Sequence, residues 1–233
     1  MSFYIEGGRQ FIRVIVINMK DETDINAASP ENSTAISRLI YIAGQGHLEP
    51  SIYDLIFTGP PGPTPERLGQ MERLLNAEAR SWFHHSFYDV AEVDGRVAAS
   101  LCAFSKEEGR ARWLVAALRE IGWDDADLVA MGERLQPVIR VEPRIPAGAW
   151  VIENVAAFPE FRRRGLVNAL LERAIEKGRT RGHDHFQIGC VIGNETARAA
   201  YEKTGFRVTD EKTDDEFERA FGSPGMWRMT LKL

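Results

Sequence analysis

Arg162-Arg163-Arg164-Gly165 runs directly into an apolar stripe made by Leu166, Leu170, Leu171, Ala174 and Ile175. That spacing is helical and predicts a helix start near Arg163 or Arg164. A helix start leaves four backbone N–H groups without intrahelical acceptors, and the aligned peptide dipoles add partial positive charge there. Together these make an anion site suited to a pyrophosphate. Gly165 has no Cβ, so its backbone can approach phosphates closely, and the three arginines add positive charge nearby. Other residue types offer less. His84-His85 and His183/His185 are pairs without further ligand spacing, so hydrogen bonding or exposure is expected of them and no metal site is expected. Cys102 and Cys190 lie in apolar, strand-like runs without CxxC spacing. No Ser/His/Asp order points to a covalent nucleophile.

Composition narrows the class. The 233 residues allow one large domain or two small ones, and 44% apolar content allows a sizeable core. A net charge of −5 argues against a nucleic-acid partner. No apolar run reaches the length of a membrane span, so no membrane partner is expected. Cysteine usage and the absence of a signal-peptide layout lead to an expectation of a reduced, cytoplasmic setting. Residues 1–20 read as an N-terminal extension in which Phe11–Ile17 is either an extra strand or part of a non-native start, with Met19 as an alternative initiation point. Residues 21–233 read as a single domain with a helical insertion at 106–148.

The elements that must position the anion loop follow from pattern and punctuation. Asp24–Ser29 reads as a short strand. A helix then starts at Ser29-Pro30-Glu31-Asn32, continues through Ile36, Leu39, Ile40 and Ala43, and ends at Gly44/Gly46. A short helix is expected over His47–Phe57, a breaker-rich loop over Gly59–Pro65, and an amphipathic helix over Glu66–Arg80. Ser86–Val93 and Arg96–Ser105 form two strands joined at Asp94-Gly95, a strong hairpin signal. The insertion carries two helices, Glu107–Ile121 and Ala126–Leu135, and a Pro-rich return; its Trp113 and Trp123 are read as packing residues. Trp150–Ala157 is a strand, Asp184–Val191 the next, and Asn194–Thr204 a helix with Asn194 as N-cap and Gly205 beyond its end. Phe206–Thr213 and Met226–Leu233 close the chain as strands joined by an acidic, mobile link. This order gives an α/β (α+β) fold with a mixed, mostly antiparallel central sheet covered by helices on both faces.

Trp150–Phe206 resembles the core of the GNAT family of acetyl-CoA-dependent N-acetyltransferases. The family's loop signature, Arg/Gln-x-x-Gly-x-Gly/Ala, reads here Arg162-Arg163-Arg164-Gly165-Leu166-Val167. Its second signature, Asn followed by Tyr and then Gly-Phe, reads Asn194…Tyr201…Gly205-Phe206. Both stand in the family's order, with Ile152-Glu153-Asn154-Val155-Ala156-Ala157 upstream. One position departs: Val167 stands where Gly or Ala is usual.

The resemblance implies roles. Acetyl-CoA is the cosubstrate. Val155, Ala156 and Ala157 would bond its pantetheine arm through backbone groups, and the N–H groups of Arg163, Arg164, Gly165, Leu166, Val167 and Asn168 would hold its pyrophosphate. Asn194 would bond the cofactor arm, or serve as a cap only. Tyr201 would donate a proton to the departing thiolate, or merely pack on an apolar face. Glu153 would be the general base, or an ordinary strand residue; an attacking amine of lysine type (pKa ~10.4) needs one. Family members that acetylate ribosomal proteins place a Glu where this chain has Gly189, so that arrangement is absent. The implied reaction is direct transfer of acetyl to the amine of a small molecule or peptide, without an acyl-enzyme. A non-catalytic acyl-CoA sensor, a longer acyl group and a hydroxyl acceptor stay open as alternatives. The insertion and the helices over Asn32–Phe57 are expected to shape the acceptor pocket, and Met226–Leu233 could pair across a homodimer.

Overall fold

A computed structural model describes residues 22–233. The extension over residues 1–20, with its Phe11–Ile17 strand, lies outside the described residues. Among the described residues seven strands form one sheet: β1 (Thr23–Ala27), β2 (Tyr88–Val93), β3 (Arg96–Ser105), β4 (Trp150–Ala157), β5 (His185–Val191), β6 (Arg207–Thr213) and β7 (Gly225–Lys232). Their spatial order is β1-β2-β3-β4-β5-β7-β6. Only β4 and β5 run parallel; every other pair is antiparallel. The β2–β3 hairpin turns at Asp94 and Gly95, both at positive φ (50° and 71°), as a tight two-residue hairpin requires.

Helices cover both faces. On one face lie α1 (Ser33–Gln45), the single turn α2 (Tyr53–Ile56), α3 (Pro65–Leu75) and the insertion helices α4 (Ala111–Glu120) and α5 (Asp125–Arg134). Their buried Ile36, Leu74, Leu118 and Met131 pack with Tyr88, Cys102 and Val151 of the sheet. On the other face α7 (Leu166–Thr180) and α8 (Glu195–Lys203) close over Leu101, Trp150, Ile152, Phe186 and Ile188. The stripe Leu166, Leu170, Leu171 and Ala174 is the buried face of α7, as its spacing dictates.

Several expectations need correction. The helix expected over His47–Phe57 is reduced to α2, and that over Glu66–Arg80 stops at Leu75, with Asn76 as its C-cap. The Pro-rich return of the insertion contains a further helix, α6 (Gln136–Val141), which tolerates Pro137 because its first turn needs no N–H. The link between the last two strands is a helix, α9 (Asp215–Phe221); the Asp214 carboxylate accepts from the N–H groups of Glu216 and Phe217, and Gly222 at φ 72° ends it. The closing strand is no edge. β7 lies between β5 and β6, so Met226–Leu233 cannot recruit a second copy by strand pairing; among the described residues the edge strands are β1 and β6.

Candidate active site

β4 and β5 part company midway. Their parallel register runs only from Trp150↔Phe186 to Ile152↔Ile188. Beyond it β4 stays bonded to β3 as far as Ala157, and β5 to β7 as far as Val191. A bulge forces the divergence: Ser100 pairs with Ala156 and Cys102 with Glu153, so Leu101 alone faces Asn154 and Val155. Asn154 takes the positive φ this needs (53°), which Asn tolerates better than most residues. Its side chain fixes the kink by accepting from the Tyr53 hydroxyl and donating to the Tyr88 hydroxyl (3.0 Å). The result is a wedge whose β4 wall, from Glu153 to Ala157, has no strand partner on the β5 side. That wall includes Val155, Ala156 and Ala157, and its free edge is what an extended amide-bearing chain needs in order to pair.

The phosphate loop lies just past the end of that wall. The helix begins at Leu166, later than its apolar spacing predicts, because Arg163 (φ 61°) and Gly165 (φ 81°) both adopt left-handed backbone. The first ladder bond of α7 is Ala169 N–H to the Gly165 carbonyl, 3.1 Å. Among the described residues, the N–H groups of Arg163, Gly165, Leu166, Val167 and Asn168 have no acceptor. Left-handed residues alternating with helical ones turn such N–H groups inward into an anion nest. A Cβ added at Gly165 would meet open space, so only its φ demands glycine there. Arg162 Nε donates to the Ala157 carbonyl (3.4 Å), and the Arg164 guanidinium lies over the Phe161 ring. The Val167 side chain is half-buried and packs against the α7–α8 core.

Glu153 sits where the wedge opens, on the face covered by α1, α2 and the insertion. It is half-buried, and burial followed by the nearby Glu142 charge pushes its carboxyl up to about 7. Beside it, burial raises the Tyr53, Tyr88 and Cys102 groups, the Glu153 charge adding to each. Cys102 Sγ donates to the Trp82 carbonyl (3.1 Å). Burial likewise pushes Cys190 up to about 12. Neither thiol is therefore a thiolate near neutrality. Tyr201 is 6% exposed on the opposite face, in the α7–α8 core, and burial raises its phenol. Its hydroxyl has no hydrogen-bond partner among the described residues. Asn194 does cap α8, accepting from Ala197 N–H at 3.2 Å. Its Nδ2 faces the end of α1, 3.1 Å from where a Cβ on Gly46 would lie.

The structure places Glu153, Val155, Ala156 and Ala157 on the β4 wall, Arg163 to Asn168 just past its end at the start of α7, Asn194 at the cap of α8 and Tyr201 within it, with Glu153 and Tyr201 on opposite faces of the sheet. A Cβ at Gly189 would lie 3.2 Å from Met226 Cε and 3.9 Å from Pro143 Cγ, so the insertion's return comes within van der Waals reach of that side. Tyr53, Asn154 and Glu142 were not legible as site residues. Asn154, a poor strand former in the middle of a strand, carried the one available signal. An open cleft of about 660 Å³ runs along α1 past Tyr41 and Gln45 to Phe158, beside the loop but away from Glu153. Among the described residues no group of three or more His, Cys, Asp or Glu could hold a metal, and no helix is long and apolar enough to cross a membrane.

An unpaired strand wall leading to an anion nest, with a titratable carboxylate at the wedge, defines a protein built to hold a phosphate-bearing cosubstrate with an extended arm. The sequence profile described as the Acetyltransferase (GNAT) family matches residues 50–206, more than half the chain. The chain belongs to this family, an N-acetyltransferase that uses acetyl-CoA. Solved structures agree on the fold. An N-acetyltransferase from Staphylococcus aureus Mu50 is 21% identical, with 90% of this chain and 100% of that one covered and a TM-score of 0.64. A second acetyltransferase is 16% identical over 89% and 98% of the two chains, with a TM-score of 0.63. The polyamine N-acetyltransferase of Drosophila melanogaster, which forms N-acetylagmatine, is 15% identical over 91% and 100%, with a TM-score of 0.52. No curated protein sequence matches the chain.

Proposed function

We propose that the enzyme transfers acetyl directly from acetyl-CoA to a primary amine, with Glu153 as general base. One observation carries this reading: a carboxyl whose pKa lies near 7 stands where β4 leaves β5. Such a group is charged at working pH yet basic enough to take a proton, as general-base catalysis requires.

Bound acetyl-CoA supplies the acyl carbon. The free wall over Val155, Ala156 and Ala157 orients its arm, the N–H groups from Arg163 to Asn168 hold its pyrophosphate, and the Asn194 Nδ2 is the donor left over once its oxygen has capped α8. Glu153 takes a proton from the acceptor ammonium, directly or through water, and the neutral nitrogen attacks. As the C–N bond forms and the C–S bond breaks, the nitrogen gives up its second proton and the sulfur ends as a thiol. Tyr201 donates a hydrogen bond to that sulfur while its charge develops. A phenol raised by burial is a weaker acid than a thiol, so its hydrogen bond matters more than early, complete proton transfer. Val167 is engaged in packing, which favours an intact phosphate site despite its size. Direct attack is favoured over an acyl-enzyme because both cysteines are buried and protonated; two free thiols also accord with a cytoplasmic setting.

Glu153→Gln tests the assignment. Transfer to an amine panel, followed by thiol release, is expected to fall roughly 100- to 10,000-fold in kcat with CoA affinity retained. A kcat within a few-fold of wild type removes Glu153 from the mechanism. CoA binding without thiol release by the wild type would favour an acyl-CoA sensor instead.

A further inference from the structure

We propose that Glu142, carried in by the insertion, is a specificity-determining residue that binds a second positive charge on the acceptor, so that doubly charged amines are preferred. The proposal rests on the acetyl-transfer reading and deepens it.

The geometry places Glu142 at the mouth of the wedge. Ile152 and Ile188 are the last paired residues, so the next positions, Glu153 and Gly189, flank the opening. Pro143 stands over Gly189, and Glu142 precedes it. β5 offers no side chain at Gly189, and the insertion brings a carboxylate-bearing residue to the same side.

The backbone that carries Glu142 is pinned on three sides. Val141 is fully buried against Leu48, Phe217 and Phe221. Arg140 is ion-paired to Glu216 and lies 3.7 Å from Asp214, tying α6 to α9. Lys212 Nζ donates to the Glu142 carbonyl at 2.6 Å. A carboxylate held this way points from a fixed origin, so it can select acceptor length as well as charge.

Its carboxylate is not tied up in an ion pair. The Glu142 side chain is solvent-accessible and forms no ion pair with any described residue. Lys212 is near enough to favour the charged form, but the protein packed around the carboxyl outweighs it and the group is raised, although the residue as a whole is exposed. Glu142 in turn raises Glu153, whose other neighbours are the neutral Tyr53, Tyr88 and Cys102. Two carboxylates carried on either side of one opening repel each other, and Lys212 offsets this only in part. An acceptor with one amine at Glu153 and a cationic group at Glu142 relieves that repulsion. A singly charged amine leaves Glu142 without a cation to bind.

The test compares 1,4-diaminobutane with 1-aminobutane as acceptors for wild type, Glu142→Gln and Glu142→Asp, following thiol release from acetyl-CoA. CoA-induced thermal stabilisation serves as the folding control. Wild type is expected to favour the diamine in kcat/KM. Glu142→Gln is expected to raise KM for the diamine roughly tenfold with KM for the monoamine little changed, any change in kcat through Glu153 being shared by both amines, and Glu142→Asp to restore part of the preference. A diamine preference absent from wild type, or unchanged in Glu142→Gln, overturns the proposal while leaving acetyl transfer intact. No thiol release from wild type with either amine overturns both.

Discussion

Burial works against the charged form of Glu153. Its carboxyl titrates near 7 in the folded chain, against an ordinary 4.5. Below about 7 the base is protonated, so kcat/KM is expected to rise with pH to a plateau above that value, which a pH–rate profile checks. The same shift acts on stability. Between the two pKa values the folded chain holds a proton that the unfolded chain has released, so this group's contribution falls as pH rises from about 4.5 to about 7. The loss is at most on the order of 3 kcal/mol, and less in practice because the residue keeps some solvent contact. Glu153→Gln is therefore expected to melt a few degrees above wild type at pH 8 and at about the same temperature at pH 5. Equal melting temperatures at both pH values would mean that Glu153 ionises freely. Glu153, Asn194 and Tyr201 could be singled out as candidates because fixed spacing along the chain carries their positions. Tyr53 could not: its contact with Asn154 spans 101 residues, and no local pattern encodes it.

Elements were legible where periodicity was long and punctuated. α7 and the β2–β3 hairpin have both features. The start of α7 was misplaced because two left-handed residues lie ahead of it, and side-chain spacing carries no record of φ. α9 was missed because seven mostly charged residues read as solvated chain; only its two phenylalanines, both buried, make it an element. The insertion has a larger part than a pocket wall. Leu114, Ala117, Leu118 and Met131 belong to the main core of the α1 face, so excising 106–148 would expose that core and could not test function. A narrower cut does. Val141→Ala should cost roughly 1–2 kcal/mol in denaturant unfolding, since its side chain is fully buried against α9. With Glu142's backbone loosened, diamine KM should rise while CoA affinity holds. A loss confined to stability would mean that α9 braces the fold and not the acceptor side.

At the scale of the whole molecule, the sheet is one surface with two cores and a gap between strands that belongs to neither. The protein itself spans the gap lightly: Gly46 and His47 at the end of α1 approach Asn194 and Gly193 ahead of α8. A ligand arm laid along the wedge would pair with the unbonded edge of β4, and its phosphates would satisfy N–H groups that no described residue accepts. Binding should then stabilise both halves together. Saturation at a hundred times Kd adds about 2.7 kcal/mol, or roughly 5–10 °C for a chain of this size. Gly165→Val separates the nest from the rest of the site. Its φ of 81° is hostile to a β-branched residue, although its surroundings would leave room for the side chain. The variant should lose most of the CoA-induced shift because the nest must rearrange, while Val167→Ala keeps the shift and lowers only the baseline melting temperature. Equal shifts in wild type and Gly165→Val would place the phosphates elsewhere than the start of α7.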